Sequence, residues 1–127
     1  MNLTFYGGAQ SVTGANYLLE IKKVNEVKRI LVDCGLYQGS HYAGRHNFED
    51  FPYDPKTVKA VFITHAHIDH IGRLPKLFRD GFRGKIFSTP ATRDFAELLL
   101  LDSEHILARE AERENKPPIC TSIDFEG

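Results

Sequence analysis

The sequence predicts an α/β fold, α+β in the looser sense, on three observations. The first third divides into short apolar segments separated by glycine and polar turns. An apolar run, Ala60-Val61-Phe62-Ile63, then leads directly into a cluster of histidines and an aspartate. A long helical stretch follows, opened by Thr89-Pro90 and closed by Pro117-Pro118. With 127 residues, of which 42% are hydrophobic, the chain has the size and apolar content of one domain.

Taken in order, Leu3 to Tyr6 reads as a strand stopped by Gly7-Gly8. From Asn16 to Ile21 the pattern has period two. Tyr17, Leu19 and Ile21 lie on one side and Asn16, Leu18 and Glu20 on the other. Lys22 to Lys28 is polar enough for a hairpin turn. Arg29 to Asp33, with Ile30-Leu31-Val32 at its centre, is a buried-type strand that leaves through Asp33-Cys34-Gly35, where glycine permits a sharp exit. Tyr37 to Pro55 has no period and contains Gly39, Gly44, Pro52 and Pro55, so it reads as a long loop. Lys59 to Thr64 is the strand that delivers the histidines. Asp69 to Asp80 reads as one helix with Leu74, Leu77 and Phe78 on a common face and Gly81 as its stop. Lys85 to Ser88 is a further strand. The long helix spans Ala91 to Asn115, with Thr89 as N-cap. Its Phe95–Leu101 portion is apolar nearly all round, which predicts burial, and from Arg109 onward it becomes a solvated charged face. Ile119 to Gly127 looks like the approach to another element.

Several function classes are set aside by bulk properties. The formal net charge of −1 shows no basic surplus of the kind that marks nucleic-acid binders, although a local patch or a metal site binds phosphate without one. The first residues lack the basic and apolar regions of a secretory signal, and no apolar run reaches the length of a membrane span. Cys34 and Cys120 are far apart and form no C-x-x-C pair, so they read as reduced, partly buried thiols of a cytoplasmic protein.

The chemistry concentrates in Thr64-His65-Ala66-His67-Ile68-Asp69-His70-Ile71-Gly72. Imidazole and carboxylate donors together suit zinc or a similar divalent transition metal. Two histidines at i and i+2 on a loop leaving a strand can turn toward one ion. Asp69 and His70, on the next helical turn, can serve a second. The plainer alternative is a polar loop whose Asp69 caps the following helix. Among the remaining histidines, His41 and His46 sit in the aperiodic loop, from which they could approach the site. His105 reads as a satisfied, partly buried residue in mid-helix.

The segment His65-Ala66-His67-Ile68-Asp69-His70 resembles the H-x-H-x-D-H signature of metallo-β-lactamase-fold hydrolases. Gly7 to Glu20, Leu31-Val32-Asp33-Cys34-Gly35-Leu36-Tyr37-Gln38-Gly39, and the helix opening at Thr89-Pro90-Ala91-Thr92-Arg93-Asp94 with Leu101-Asp102-Ser103 resemble its β-CASP branch of RNA-processing nucleases. The resemblance implies the first half of an αββα sandwich, a mixed or antiparallel sheet with flanking helices. It places residues 1–127 in the N-terminal part of that domain, with the rest of it and a β-CASP domain outside the chain. It implies His65, His67, Asp69 and His70 as ligands to a pair of zinc ions, and Asp33 and Asp69 as the acidic residues of catalysis. Asp33 would orient the histidine loop rather than bind metal. It also implies single-stranded RNA as the substrate of the complete enzyme. As it stands, the chain is expected to bind metal weakly and to have little or no nuclease activity.

Two other readings stay open. One is a different hydrolase of the superfamily, a thioesterase of the glyoxalase II type or a lactonase. The other is a non-catalytic assembly module, whose exposed core surface and sheet edge would be covered by a completing chain or by self-association into a homo-oligomer.

Overall fold

The computed structural model describes residues 1–39 and 41–118, without the side chains of residues 41–43. Cys120 and the side chain of His41 therefore lie outside the described residues. Five strands form one mixed sheet in the order β1-β2-β3-β4-β5. β1 (Asn2–Gly7), β2 (Asn16–Lys23) and β3 (Glu26–Val32) form an antiparallel meander. β4 (Val58–Phe62) and β5 (Lys85–Phe87) are added parallel to β3. This is the α/β architecture with flanking helices that the sequence predicts.

The period of two in β2 sorts its side chains between the faces. Leu18 pairs in register with Leu31, and Leu31 with Val61; all three are buried beneath the helices. The next row, Phe5, Tyr17, Val32, Phe62 and Phe87, points to the opposite face. There Phe5, Phe62 and Phe87 are exposed, and Phe62 stacks on Phe87 with ring centroids 4.9 Å apart. One side of the sheet thus carries the core and the other presents an apolar surface. Ile71, Leu74, Leu77 and Phe82 complete the core from the helical side.

Five expectations need correction. The 22–28 stretch is not all turn: β2 runs to Lys23 and β3 resumes at Glu26, because charged residues sit well in the solvated end of an antiparallel ladder. The 37–55 loop contains a short helix, α1 (His41–His46), too brief to show a period. Beyond α1, Asn47 is buried and pairs with Tyr37 through both amide atoms, accepting from its N–H at 2.7 Å and donating to its carbonyl at 3.0 Å. The single helix expected from Asp69 to Asp80 is two: α2 (Ile68–Ile71) and α3 (Leu74–Arg79). Pro75 lacks the N–H that a continuous helix requires, and the Arg73 N–H is drawn off to the Cys34 carbonyl at 2.9 Å. A single turn of 3-10 helix, Pro55–Thr57, precedes β4.

The other two lie in α4 (Pro90–Arg113). Its N-cap is as expected, with the Thr89 hydroxyl accepting from the Thr92 N–H at 3.2 Å. Its apolar half, however, is only partly buried. Ala96 and Leu100 face the core, whereas Phe95, Leu98 and Leu101 are exposed. A helix that is apolar all round buries only the side that finds a neighbour. His105, expected to be partly buried, is exposed. No described helix is long and apolar enough to cross a membrane.

Cys34 is a free, fully buried thiol behind β3. Burial pushes its pKa up to about 12, and the nearby Arg73 and Lys76 charges only partly oppose that. Burial also raises the Tyr53 phenol, whose hydroxyl exchanges hydrogen bonds with Asn16 at 3.0 and 3.1 Å. Both groups stay protonated in the fold at pH values where the unfolded chain ionises them. Folding stability should therefore be indifferent to these groups at neutral pH. It should fall as pH rises above about 9, the unfolded thiol value, and more steeply above 10, where unfolded Tyr53 ionises. The slope approaches about 1.4 kcal/mol per pH unit per group. Urea unfolding across this range checks it, and Cys34→Ala should flatten the first part of the decline.

Candidate metal centre

The site forms where two parallel strands end together. β3 and β4 are in register at Val32 and Phe62, and the Asp33 N–H extends the ladder to the Phe62 carbonyl at 2.9 Å. The chain then turns at Asp33, which adopts a left-handed φ of 60°. Aspartate tolerates this conformation better than most residues. The turn directs a fully buried carboxylate across the sheet end to the segment leaving β4.

That carboxylate organises the cluster. One oxygen, Oδ1, accepts from the Thr64 N–H at 2.8 Å. The other, Oδ2, accepts from the Thr64 hydroxyl at 2.8 Å and from His70 Nδ1 at 2.8 Å. Since a carboxylate only accepts, Nδ1 is the nitrogen that carries the proton when the His70 ring is neutral, and the lone pair is then on Nε2. His70 Nε2 lies 3.5 Å from the Asp69 carboxylate. The His65 ring is 3.9 Å from the His70 ring and 4.7 Å from the His67 ring, centroid to centroid. All five residues singled out from the sequence, Asp33, His65, His67, Asp69 and His70, are thus gathered at one sheet end.

The backbone clamps this arrangement. Ala15 N–H donates to the Asp69 carbonyl at 2.9 Å, Cys34 N–H to the His70 carbonyl at 2.8 Å, and Leu36 N–H to the Ile68 carbonyl at 3.1 Å. Gly35 lies flat against the Asp69 peptide; a Cβ there would sit 1.5 Å from the Asp69 oxygen. The glycine is therefore required for close approach and not, as its position after Asp33-Cys34 suggests, for the turn. Sequence reasoning gave Gly35 a turn role in place of the close approach, and it gave Thr64 no role. The only available signal was their adjacency to Asp33 and His65.

The capping alternative for Asp69 does not describe the structure. His67, not Asp69, is the N-cap of α2, and its side chain makes no capping hydrogen bond. His46 is engaged elsewhere: its Nδ1 lies 2.6 Å from Glu49, and its ring packs on Tyr37 with centroids 5.5 Å apart. There it borders an open groove of about 630 Å³ lined also by Gly7, Gly8 and Gln10.

The donor types suit a zinc-class ion, and the histidine loop is pre-oriented by a buried carboxylate, as metal-binding imidazoles commonly are. The number is insufficient. Among the described residues no three His, Cys, Asp or Glu side chains converge so as to hold one ion. The described residues present candidate donors without closing a cage around them.

Residues 13–82, which contain the β2–β4 scaffold and the whole histidine run, match the family model described as "Metallo-beta-lactamase superfamily". The chain belongs to the metallo-beta-lactamase superfamily. Within it, the match is to the N-terminal part of β-CASP RNA-processing nucleases. The ribonuclease TTHA0252 of Thermus thermophilus is 44% identical over 107 residues, covering 84% of this chain and 23% of its own. The transcription termination factor FttA of Methanosarcina mazei is 36% identical, over 89% of this chain and 17% of its own. Cleavage and polyadenylation specificity factor 73 of Drosophila melanogaster is 29% identical, over 94% and 18%. This metallo-beta-lactamase chain therefore spans about a fifth of the length of the curated relatives it matches. Among solved structures, the subclass B3 metallo-beta-lactamase MEM-A1 from a soil metagenome overlays 66% of this chain at a TM-score of 0.38 and 20% identity, too loosely to inform the site.

Proposed function

We propose that this chain is the ligand-bearing N-terminal part of a metallo-β-lactamase domain in a cytoplasmic, zinc-dependent hydrolase of RNA phosphodiester bonds. The observation that carries this reading is the Asp33–His70–Asp69 alignment beside His65 and His67. The substrate assignment draws on relatives named as a ribonuclease, a transcription termination factor and a cleavage and polyadenylation factor. Single-stranded RNA is the substrate that suits such a set. The exposed apolar row Phe5, Phe62 and Phe87 supports one further element of the proposal, that this sheet is one layer of a two-layered unit.

In this reading His65, His67, Asp69 and His70 are metal ligands, shared between two ions that other residues complete. Zinc, when bound, supplies a Lewis acid and a water that ionises near neutral pH. The chain's own contribution is orientation. Asp33 holds the His70 proton on Nδ1, so that Nε2 faces outward beside Asp69. The backbone bonds from Ala15, Cys34 and Leu36 fix the turn that carries both residues.

A chimera tests this, with the chain replacing the matching segment of the Thermus ribonuclease. The chimera should retain about two zinc ions after gel filtration and cleave single-stranded RNA, and His67→Ala should abolish cleavage. The isolated chain should retain less than one ion and leave RNA intact. A folded, zinc-loaded chimera that ignores RNA would overturn the assignment. Turnover of a thioester in its place would move the chain to the glyoxalase II-type reading.

A further inference from the structure

We propose that Thr64 is a positioning residue whose hydroxyl sets the tautomer of His65, so that His65 and His70 both carry their proton on Nδ1 and both offer Nε2 as a lone pair. The bookkeeping of one hydrogen atom carries the inference. A threonine hydroxyl has a single proton to donate and otherwise only accepts. The Thr64 Oγ1 lies 2.8 Å from Asp33 Oδ2, an oxygen of a buried carboxylate that can only accept. The hydroxyl proton is committed to that bond.

His65 Nδ1 lies 3.0 Å from the same Oγ1. With the hydroxyl proton turned to Asp33, a lone pair on Nδ1 would face a lone pair on oxygen. The contact is a hydrogen bond only if Nδ1 carries the proton and donates it. The neutral ring then has its remaining lone pair on Nε2. His70 Nδ1 faces two acceptors, Asp33 Oδ2 at 2.8 Å and Thr64 Oγ1 at 3.4 Å, and is protonated for the same reason. A single carboxylate therefore controls two imidazoles, His70 directly and His65 through the Thr64 hydroxyl.

Thr64 is held so that it can do this. Its own N–H is bonded to Asp33 Oδ1 at 2.8 Å, so the residue meets the carboxylate at both oxygens. Its branched side chain has few χ1 options, which keeps the hydroxyl on the carboxylate. Valine has the same shape and branching and lacks only the hydroxyl, whereas serine keeps the hydroxyl and loses only the methyl. The pair separates hydrogen bonding from packing. The bearing of the relay on metal binding rests on the proposed function; the relay itself does not.

The test is a long-range 15N–1H correlation spectrum of the imidazole rings of the full chain in chelator, at a pH above the imidazole range. His65 and His70 should each appear as the Nδ1–H tautomer, the form that a free histidine side chain in water disfavours. In Thr64→Val, His65 should shift to a mixture dominated by Nε2–H while His70 keeps its Nδ1 proton through Asp33. Thr64→Ser should restore the parent pattern. An Nε2–H His65 in the unmodified chain overturns the proposal whatever the variants do, as does a His65 tautomer unchanged in Thr64→Val. Titration of the Thermus chimera with Co(II) supplies a separate readout of the functional reading: Thr64→Val should weaken binding about tenfold, with recovery in Thr64→Ser. Tautomers that respond as stated with no Co(II) uptake by the parent or its variants in the Thermus chimera, where the remaining ligands are present, would uphold the relay and count against the metal site.

Discussion

Gly35→Ala is expected to be the most damaging small substitution in the chain, lowering stability by about 3 kcal/mol or more. The added Cβ would lie 1.5 Å from the Asp69 oxygen, 2.0 Å from its carbonyl carbon and 2.7 Å from the His70 nitrogen. All three are backbone atoms, so no side chain can swing aside. The 33–36 segment and the Ile68–His70 turn must separate, and the bonds Cys34 N–H to His70, Leu36 N–H to Ile68 and Ala15 N–H to Asp69 are strained together. For a chain of this size the melting temperature should drop by roughly 10 °C or more. Gly44→Ala is the control: a Cβ there meets nothing within 4 Å among the described residues, and Gly44 lies within α1. That change should be neutral or slightly stabilising. Thermal melts of the two variants decide the matter, and equal melting temperatures would show that the glycine contact is not the clamp described.

The same contact explains which parts of the fold were legible. β2 was readable because its alternation persists into the register, with Leu18 against Leu31 and Leu31 against Val61. The four ligand candidates were readable because they are nearly consecutive and because imidazole and carboxylate are poor choices for a core. Asp33 was placed by its resemblance to a family motif, and its carboxylate accepts three hydrogen bonds from Thr64 and His70. Gly35 and Thr64 were not readable. Their importance is set by partners far away in the chain, and a glycine after a strand looks the same whether it serves a turn or a close approach. The break between α2 and α3 was legible in principle, since Pro75 marks it. The leucine pattern outweighed that signal in the reading of the sequence. The span and N-cap of α4 were legible, but its buried face was not. Between Phe95 and Leu101 nearly every position is apolar, so periodicity names no face, and only packing shows that Ala96 and Leu100 are inside and Phe95 and Leu98 outside.

Asp33→Asn should cost about 2–3 kcal/mol of stability and weaken metal binding by about 10–100-fold, more than its near-identical shape would suggest. Asparagine tolerates the left-handed φ of 60°, so the turn survives. What changes is the acceptor count. The carboxylate receives three hydrogen bonds on two oxygens: the Thr64 N–H on one, and the Thr64 hydroxyl and His70 Nδ1 on the other. If the amide oxygen keeps the Thr64 N–H, the amide nitrogen must occupy the place of Oδ2 and donate. The Thr64 hydroxyl can rotate and accept. His70 can keep a bond only by giving up its Nδ1 proton, which puts the proton on Nε2, the atom that faces Asp69. The substitution thus closes the proposed ligand position while leaving the ring where it was. Asp33→Ala acts differently. It leaves the Thr64 N–H and His70 Nδ1 without their acceptor and places a Cβ-only residue at positive φ, so it should lose about 4 kcal/mol. Melting temperatures and Co(II) titrations of the two variants separate the roles. If Asp33 orients His70, Asn should retain most of the fold and lose most of the affinity, and Ala should lose both. Parent-level Co(II) affinity in Asp33→Asn would mean that the tautomer of His70 does not govern what the ring can bind.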